Sequence, residues 1–375
     1  MNNFLKKLFG AEYKPLNNIY ISSKNLIFNY KYLSGIDRKI KIAPVLKSNA
    51  YGHGIVEVAK VLDKMEAPFL CVDSIHEAYQ LLKIKLKTPI LIMGYVDPEN
   101  LKVKNLPFSY AVYDEKQIEA INKYQANAKI HIKVDTGMHR LGVSLEDLPG
   151  LLVAIKKCKN TKLEGVMSHL AFSRDIDNGF TKNQIQNFKK ALLIIEGAGF
   201  NPKWRHLGAS GGILNLDLSK YSNMARVGNA IYGFNPGKPF DNKLKPVLSF
   251  HTKIAAIKKI KKGEYVGYSA TYKAEKEILL GALPAGYNDG IDRRLSNRGF
   301  VKVGKVFCPI IGKISMNITT IDVSKVLDVK IGDCVIVYSN EISDKNSLDN
   351  VAKTIKTIPP IILVNLASST KRIVS

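Results

Sequence analysis

The chain has 375 residues, 46% of them hydrophobic, which is enough to bury more than one core and favours two domains over one. Its 56 Lys and Arg outnumber its 32 Asp and Glu for a formal charge of +24, but the lysines are scattered through amphipathic stretches such as residues 182–190 and 258–262. That pattern reads as solvated faces and argues against a nucleic-acid groove or a membrane surface, so a small phosphate-bearing ligand is the more economical anionic partner. No run reaches the eighteen or so apolar residues of a membrane span. Behind Lys6 and Lys7 stand only Leu8 and Phe9, too little for a secretory signal, and a cytoplasmic location is expected. Cys71, Cys158, Cys308 and Cys334 are far apart in apolar or strand-like settings, which predicts reduced, buried, structural thiols and no metal site.

From about residue 40 to 235, short β-branched runs alternate with helical patterns. Strands are predicted at 41–47, 69–72, 89–93, 110–113, 129–134 and 162–167. Helices are predicted at 55–64, 74–84, 115–124, 148–157 and 183–198. Roughly eight βα units fit, the count of a closed (β/α)8 barrel of the TIM type with its site at the strand C-terminal ends. After Pro236 the texture changes to strands without long helices, at 247–262, 277–284, 299–303, 307–311, 315–323 and 333–338. The fold class is therefore α/β, with a barrel over 1–240 and a C-terminal mainly β domain over 241–375.

The sharpest motif is Ala43-Pro44-Val45-Leu46-Lys47-Ser48-Asn49-Ala50-Tyr51-Gly52-His53-Gly54. An apolar strand delivers one lysine at its C-terminal end into a polar, glycine-containing turn. A lysine held there is partly desolvated, which lowers its proton affinity and makes it a Schiff-base nucleophile for an aldehyde cofactor. The bland alternative, a strand-end lysine reaching into solvent, is the better reading for an isolated lysine.

The surroundings reverse that judgement, because residues 45–54 closely resemble the cofactor-lysine motif of the alanine racemases, which use pyridoxal 5'-phosphate. The resemblance continues in order through Lys133-Val134-Asp135-Thr136-Gly137-Met138-His139-Arg140-Leu141-Gly142, Met167-Ser168-His169-Leu170-Ala171 and Arg226-Val227-Gly228-Asn229-Ala230-Ile231-Tyr232-Gly233. In the second domain it takes in Gly267-Tyr268-Ser269, Gly286-Tyr287-Asn288-Asp289-Gly290 and Ser315-Met316-Asn317.

The resemblance implies an isomerase that interconverts L- and D-alanine, supplying D-alanine for bacterial peptidoglycan, with Lys47 and Tyr268 as two acid/base groups on opposite faces of a planar intermediate. It implies a homodimer in which Tyr268 comes from the partner subunit. It also implies that Tyr51, Ser210, Gly228 and Asn229 hold the cofactor phosphate, that Arg226 donates to the pyridine nitrogen, and that His169 lies beside the ring. Arg140 and the Met316 N–H are implied for the substrate carboxylate, with Lys133, often carbamylated in the family, orienting Arg140. Without the resemblance, Tyr268 is an ordinary β-domain tyrosine, His169 a satisfied core histidine, Arg226 a strand-end arginine paired with a carboxylate, and Lys133 a barrel lysine paired with an acid.

Three positions depart from the family pattern: Pro360 replaces a usual tyrosine on the phosphate, Ala209 a frequent asparagine, and Asn317 a frequent aspartate. Proline offers neither a hydroxyl nor an N–H. A racemase of broader amino-acid specificity is the nearest rival reading. A related decarboxylase is disfavoured by Arg226, since that reaction gains from an acidic partner on the pyridine nitrogen. A degenerate binding module is disfavoured by the joint presence of Lys47 and Tyr268.

Overall fold

A computed structural model of the chain describes residues 14–173, 178–235 and 243–375. They divide into two units, Ser23–Lys245 and a second that joins the residues up to Ser22 to Pro246–Ser375. The first strand, β1 (Asn18–Ile21), belongs to the second unit. The expected boundary near residue 240 leaves this strand with the barrel. The structure instead pairs it antiparallel with residues 248–251 and parallel with residues 371–374, and its alternating burial matches a sheet with one face packed.

In the unit Ser23–Lys245, the described residues form eight strands: β2 (Lys41–Pro44), β3 (Leu70–Val72), β4 (Ile90–Ile92), β5 (Phe108–Val112), β6 (Ala128–Lys133), β7 (Thr161–Met167), β8 (Trp204–His206) and β9 (Met224–Val227). Strands β3 to β8 form one parallel sheet, and β2 pairs parallel with β9. The two pieces close on each other. A parallel bridge joins Val45 to Cys71, and the N–H groups of Asn223 and Arg226 donate to the carbonyls of Arg205 and Gly208. This is the expected (β/α)8 barrel. Strands such as Leu70-Cys71-Val72 and Ile90-Leu91-Ile92 are buried at every residue, as strands covered on both faces must be.

The helices of six or more residues between the strands are α1 (Ser23–Ile36), α2 (Ile55–Leu62), α3 (Ile75–Leu82), α4 (Glu115–Tyr124), α5 (Leu148–Lys157), α6 (Gly179–Gly197) and α7 (Ser210–Asn215). Their starts follow from capping chemistry. Ser74 and Glu77 form a capping box on α3, and Asp114 accepts from the Gln117 N–H to start α4. Helix α6 begins before the expected residue 183 because Asn178 caps it through the Phe180 N–H.

In the second unit, six strands line up as Val306–Pro309, Phe300–Val303, Cys334–Tyr338, Leu248–Lys253, β1 and Lys371–Val374. A three-stranded sheet holds Ala256–Ile260, Ile278–Leu283 and Thr319–Asp322, and a two-stranded ribbon holds Tyr265–Val266 and Tyr272–Lys273. The single strand expected over 247–262 is two strands in different sheets. The Ile254 N–H donates to the Asp333 carbonyl, just before the strand Cys334–Tyr338 of one sheet, and the next N–H, of Ala255, to the Ala282 carbonyl of the other sheet. Only 319–322 of the expected strand 315–323 pairs in the sheet. Residues 315–316 pack instead as a turn against Gly286, where a side chain would collide with the Ser315 carbonyl at 2.2 Å. Cys334 also departs from expectation: it is exposed, with its thiol 3.6 Å from His251 Nδ1, while the other three cysteines are buried.

Candidate active site

Lys47 follows β2 at the C-terminal rim of the barrel, and the chain behind it turns left-handed. Ser48, Asn49, Ala50 and Tyr51 have φ of 55°, 54°, 54° and 52°. Left-handed helical residues other than glycine cost roughly 1–2 kcal/mol each, so such a run exists only where its surroundings enforce it. Asn49 Oδ1 accepts from the Ile55 N–H at 2.8 Å, Glu77 Oε1 from the Ser48 N–H at 2.6 Å, and His53 Nδ1 lies 3.0 Å from the carbonyls of Ala50 and Tyr51. Tyr232, fully buried, stacks on His53 and donates its hydroxyl to the Val45 carbonyl.

The barrel interior carries a polar chain that ends on Arg226. This guanidinium is 4% exposed and its charge meets neutral acceptors: Nη1 donates to His206 Nδ1 at 2.9 Å and to the His206 carbonyl, Nη2 to the Ser168 carbonyl and to His169 Nδ1 at 3.4 Å. Among the described residues no carboxylate pairs with it, contrary to the carboxylate-paired alternative. Since arginine only donates, His206 must accept at Nδ1 and donate from Nε2 to His131 Nδ1 at 2.8 Å. His131 then donates from Nε2 to Glu164 Oε2 at 3.2 Å, where Ser109 also donates, and Lys129 lies 3.4 Å from the other oxygen. Burial holds both imidazoles below their ordinary pKa, which agrees with this neutral, one-way chain. Gly165 makes room for it: a Cβ there would lie 2.2 Å from His131 Nδ1.

A cavity of about 790 Å³ opens at the strand C-termini, lined by Lys47, Tyr51, Lys133, Arg140, His169, Ser210, Arg226, Gly228 and Asn229 together with Asp73. Nine of the residues singled out in the sequence thus meet in one place. Burial, reinforced by the charge of Arg226, pushes His169 down to about 3, so it is neutral at physiological pH. Burial with Arg140 and Arg226 nearby lowers Lys133 to about 8, and burial lowers Arg226 to about 10. Lys133 is 8% exposed and shares no ion pair among the described residues.

At one end of the cavity the Tyr51 hydroxyl lies 2.3 Å from where a side chain on residue 228 would begin, so glycine there lets the hydroxyl and the backbone converge. Burial, with Asp73 adding, raises that phenol to about 12. Ser210 Oγ accepts from the Ala230 N–H at 3.2 Å and ties the start of α7 to the loop after β9. Ala209, at the N-cap of α7, supplies no side-chain cap.

Tyr268 and Met316 lie on the second unit. Tyr268 is 66% exposed in a turn whose neighbours Gly267, Ser269 and Ala270 all have positive φ, and Lys313 Nζ donates to Ser269 Oγ at 3.0 Å. Met316 is exposed, and its carbonyl accepts from the Asn288 N–H. Pro360 stands in the first turn of a short helix, Pro359–Val364. Sequence reasoning missed Glu77, His131, His206 and Glu164. A signal existed for two of them: Ser74-x-x-Glu77 is a capping-box pattern, and alternation along residues 129–133 puts His131 on the same face as Lys133.

The donor set can be compared with the group that the Lys47 motif implies. Four cationic side chains, Lys47, Lys133, Arg140 and Arg226, face the cavity against the single carboxylate of Asp73, a field that selects an anion. Four of the five guanidinium N–H groups of Arg226 are spent on protein acceptors, which leaves Nε–H for a ligand. A phosphate ester bearing an aldehyde and a ring acceptor fits these residues.

Known proteins match both units. Residues 21–236 fit the family model described as alanine racemase, N-terminal domain, and residues 247–374 the one described as alanine racemase, C-terminal domain. The alanine racemase of Treponema denticola is 36% identical over 89% of this chain and 92% of its own. A solved alanine racemase from Bacillus anthracis with bound L-Ala-P superposes with a TM-score of 0.89 at 27% identity, covering 97% of this chain and 96% of that one. Another, from Bartonella henselae with covalently bound pyridoxal phosphate, gives 0.83 at 28% identity, covering 96% and 100%. With both units matched in order over nearly the whole length, the chain belongs to the alanine racemase family of isomerases.

Proposed function

We propose that this protein interconverts L- and D-alanine with pyridoxal 5'-phosphate held on Lys47, working as a homodimer whose product D-alanine serves peptidoglycan. The observation that carries the reading is the convergence of Lys47, the unspent Arg226 Nε–H and the Tyr51–Gly228 cradle on one cationic cavity. Tyr51, Ser210 and the backbone N–H groups of Gly228 and Asn229 would hold the phosphate, with Arg226 at the ring nitrogen and Lys47 at the aldehyde carbon. When bound, the cofactor draws electrons from the substrate Cα and acidifies its hydrogen.

The chain's own groups then move the protons. One of Lys47 Nζ and Tyr268 Oη takes the hydrogen from one face, and the other returns a proton to the opposite face, which inverts the centre. Arg226 keeps its proton at neutral pH, so it orients the ring nitrogen without protonating it, and this favours simple proton exchange at Cα. Arg140 would bind the substrate carboxylate, and a carbamate on Lys133 would orient Arg140. Tyr268, largely exposed on its own unit, would be covered by the partner subunit's barrel.

Borohydride reduction of the holoenzyme followed by peptide mapping tests the reading. The pyridoxyl group should be found on Lys47, in protein that racemises alanine before reduction. A label on another lysine, or no bound cofactor, would contradict it.

A further inference from the structure

One carboxylate outside the left-handed turn grips its first peptide. Glu77 Oε1 accepts from the Ser48 N–H at 2.6 Å, and Oε2 accepts from the Asp73 N–H at 2.9 Å and the Ser74 N–H at 3.3 Å. Glu77 also completes the capping box of α3, its own N–H donating to Ser74 Oγ at 3.2 Å. A capping glutamate requires only the N-cap N–H. In this chain that bond is the longest of the three, and the shortest reaches the peptide that follows Lys47. Asp73 lines the same cavity as Lys47. The carboxylate therefore staples the exits of β2 and β3 together at the rim, where four consecutive non-glycine residues hold a conformation they would not keep unaided.

We propose that Glu77 is a positioning residue for Lys47, holding the left-handed turn so that the lysine amine is presented to the cavity; this rests on the reading of Lys47 as the cofactor lysine. Glutamine at 77 keeps one carbonyl oxygen for the cap and loses the second acceptor, so the bonds to Ser48 and Asp73 cannot both survive. Ser74→Ala supplies the control, since it removes the cap hydroxyl and leaves the three contacts of the Glu77 carboxylate in place.

The test is made on holoenzyme, by hydrogen exchange and by steady-state kinetics. In Glu77→Gln, amide exchange over residues 48–54 should speed up by about tenfold or more, while Ser74→Ala should loosen only α3. The kcat for alanine should fall roughly 10- to 100-fold in Glu77→Gln with KM within about twofold, because a misplaced amine disturbs the reacting geometry and not the carboxylate contact. Glu77→Asp, with two oxygens, should recover part of the loss. Unchanged exchange at 48–54, wild-type kcat, or an equal kcat loss in Ser74→Ala overturns the proposal. Borohydride mapping of Glu77→Gln separates the two levels. A pyridoxyl group on Lys47 with wild-type kcat counts against Glu77 alone, whereas a label on another lysine overturns the cofactor assignment and the role of Glu77 with it.

Discussion

Lys133 ends β6 with its amine buried beside two guanidinium groups, and burial together with Arg140 and Arg226 lowers its pKa to about 8. An amine in that state reacts readily with carbon dioxide, forming an N–C bond and releasing one proton to leave an anionic carbamate. The sign follows from the shift: the reactive neutral amine grows as pH rises through about 8. At fixed dissolved ¹³CO₂, a carbamate ¹³C resonance should therefore strengthen from pH 7 to 9 and be absent from Lys133→Ala. No resonance at any pH would leave Lys133 a buried amine and remove its proposed hold on Arg140. At this scale the sequence was legible where a motif was long. Lys47, Arg226 and Gly228 sit in runs of eight or more matching residues, and all three line the cavity. The capping pattern at Ser74-x-x-Glu77 announces only a helix start; the site contacts of Glu77 and His206 were hidden because each reaches a residue 20 or more positions away.

Strands β6, β7, β8 and β9 together carry the buried chain from Arg226 through His206 and His131 to Glu164, each supplying one of the four side chains. The strand character of β6 and β7 was visible as β-branched alternation, but which inward residues meet depends on barrel register, and the β6–β7 pairing shifts between Ile130 and His131. Strands β8 and β9, three and four residues long, show too few residues for a period, and helix α1 was not distinguished because Leu26, Ile27 and Phe28 in succession blur its apolar face. The chain makes a stability prediction. Burial raises the Glu164 pKa, but the N–H of His131, the Ser109 hydroxyl and Lys129 outweigh it and hold the carboxylate at about 2. Its folded pKa lies below the unfolded value of about 4.3, so its contribution is complete above that pH and is lost as pH falls toward 2. Because His131 is neutral, the contribution is on the order of 2 kcal/mol, below what an ion pair would give. The Tm of the wild-type protein should fall more steeply than that of Glu164→Gln between about pH 4.5 and 2.5, and the two curves should converge in acid. Parallel curves would show that the carboxylate carries no special stabilisation.

At the scale of the whole molecule, the change from alternating βα texture to bare strands was legible, and the family models divide the chain at nearly the same place. The return of β1 to the second unit was not, because a four-residue strand carries no mark of which sheet it will join. Some of the lysines behind the +24 charge lie along partly or largely exposed rings, such as Lys189 over Tyr221 at 4.4 Å and Lys245 over Phe28 at 4.2 Å, which fits solvated faces better than a polyanion groove. The two proposed proton carriers sit on different units of the chain, Lys47 in the barrel and Tyr268 exposed on the other, and in the proposed function they meet only across a dimer. Mixing Lys47→Ala chains with Tyr268→Phe chains, each inactive alone, tests this directly. Random exchange makes half the dimers mixed, and each mixed dimer has one site with both residues intact, so racemisation of alanine should return to about a quarter of the wild-type rate. Mixed dimers that are shown to form and yet racemise no alanine would contradict the shared, two-base site.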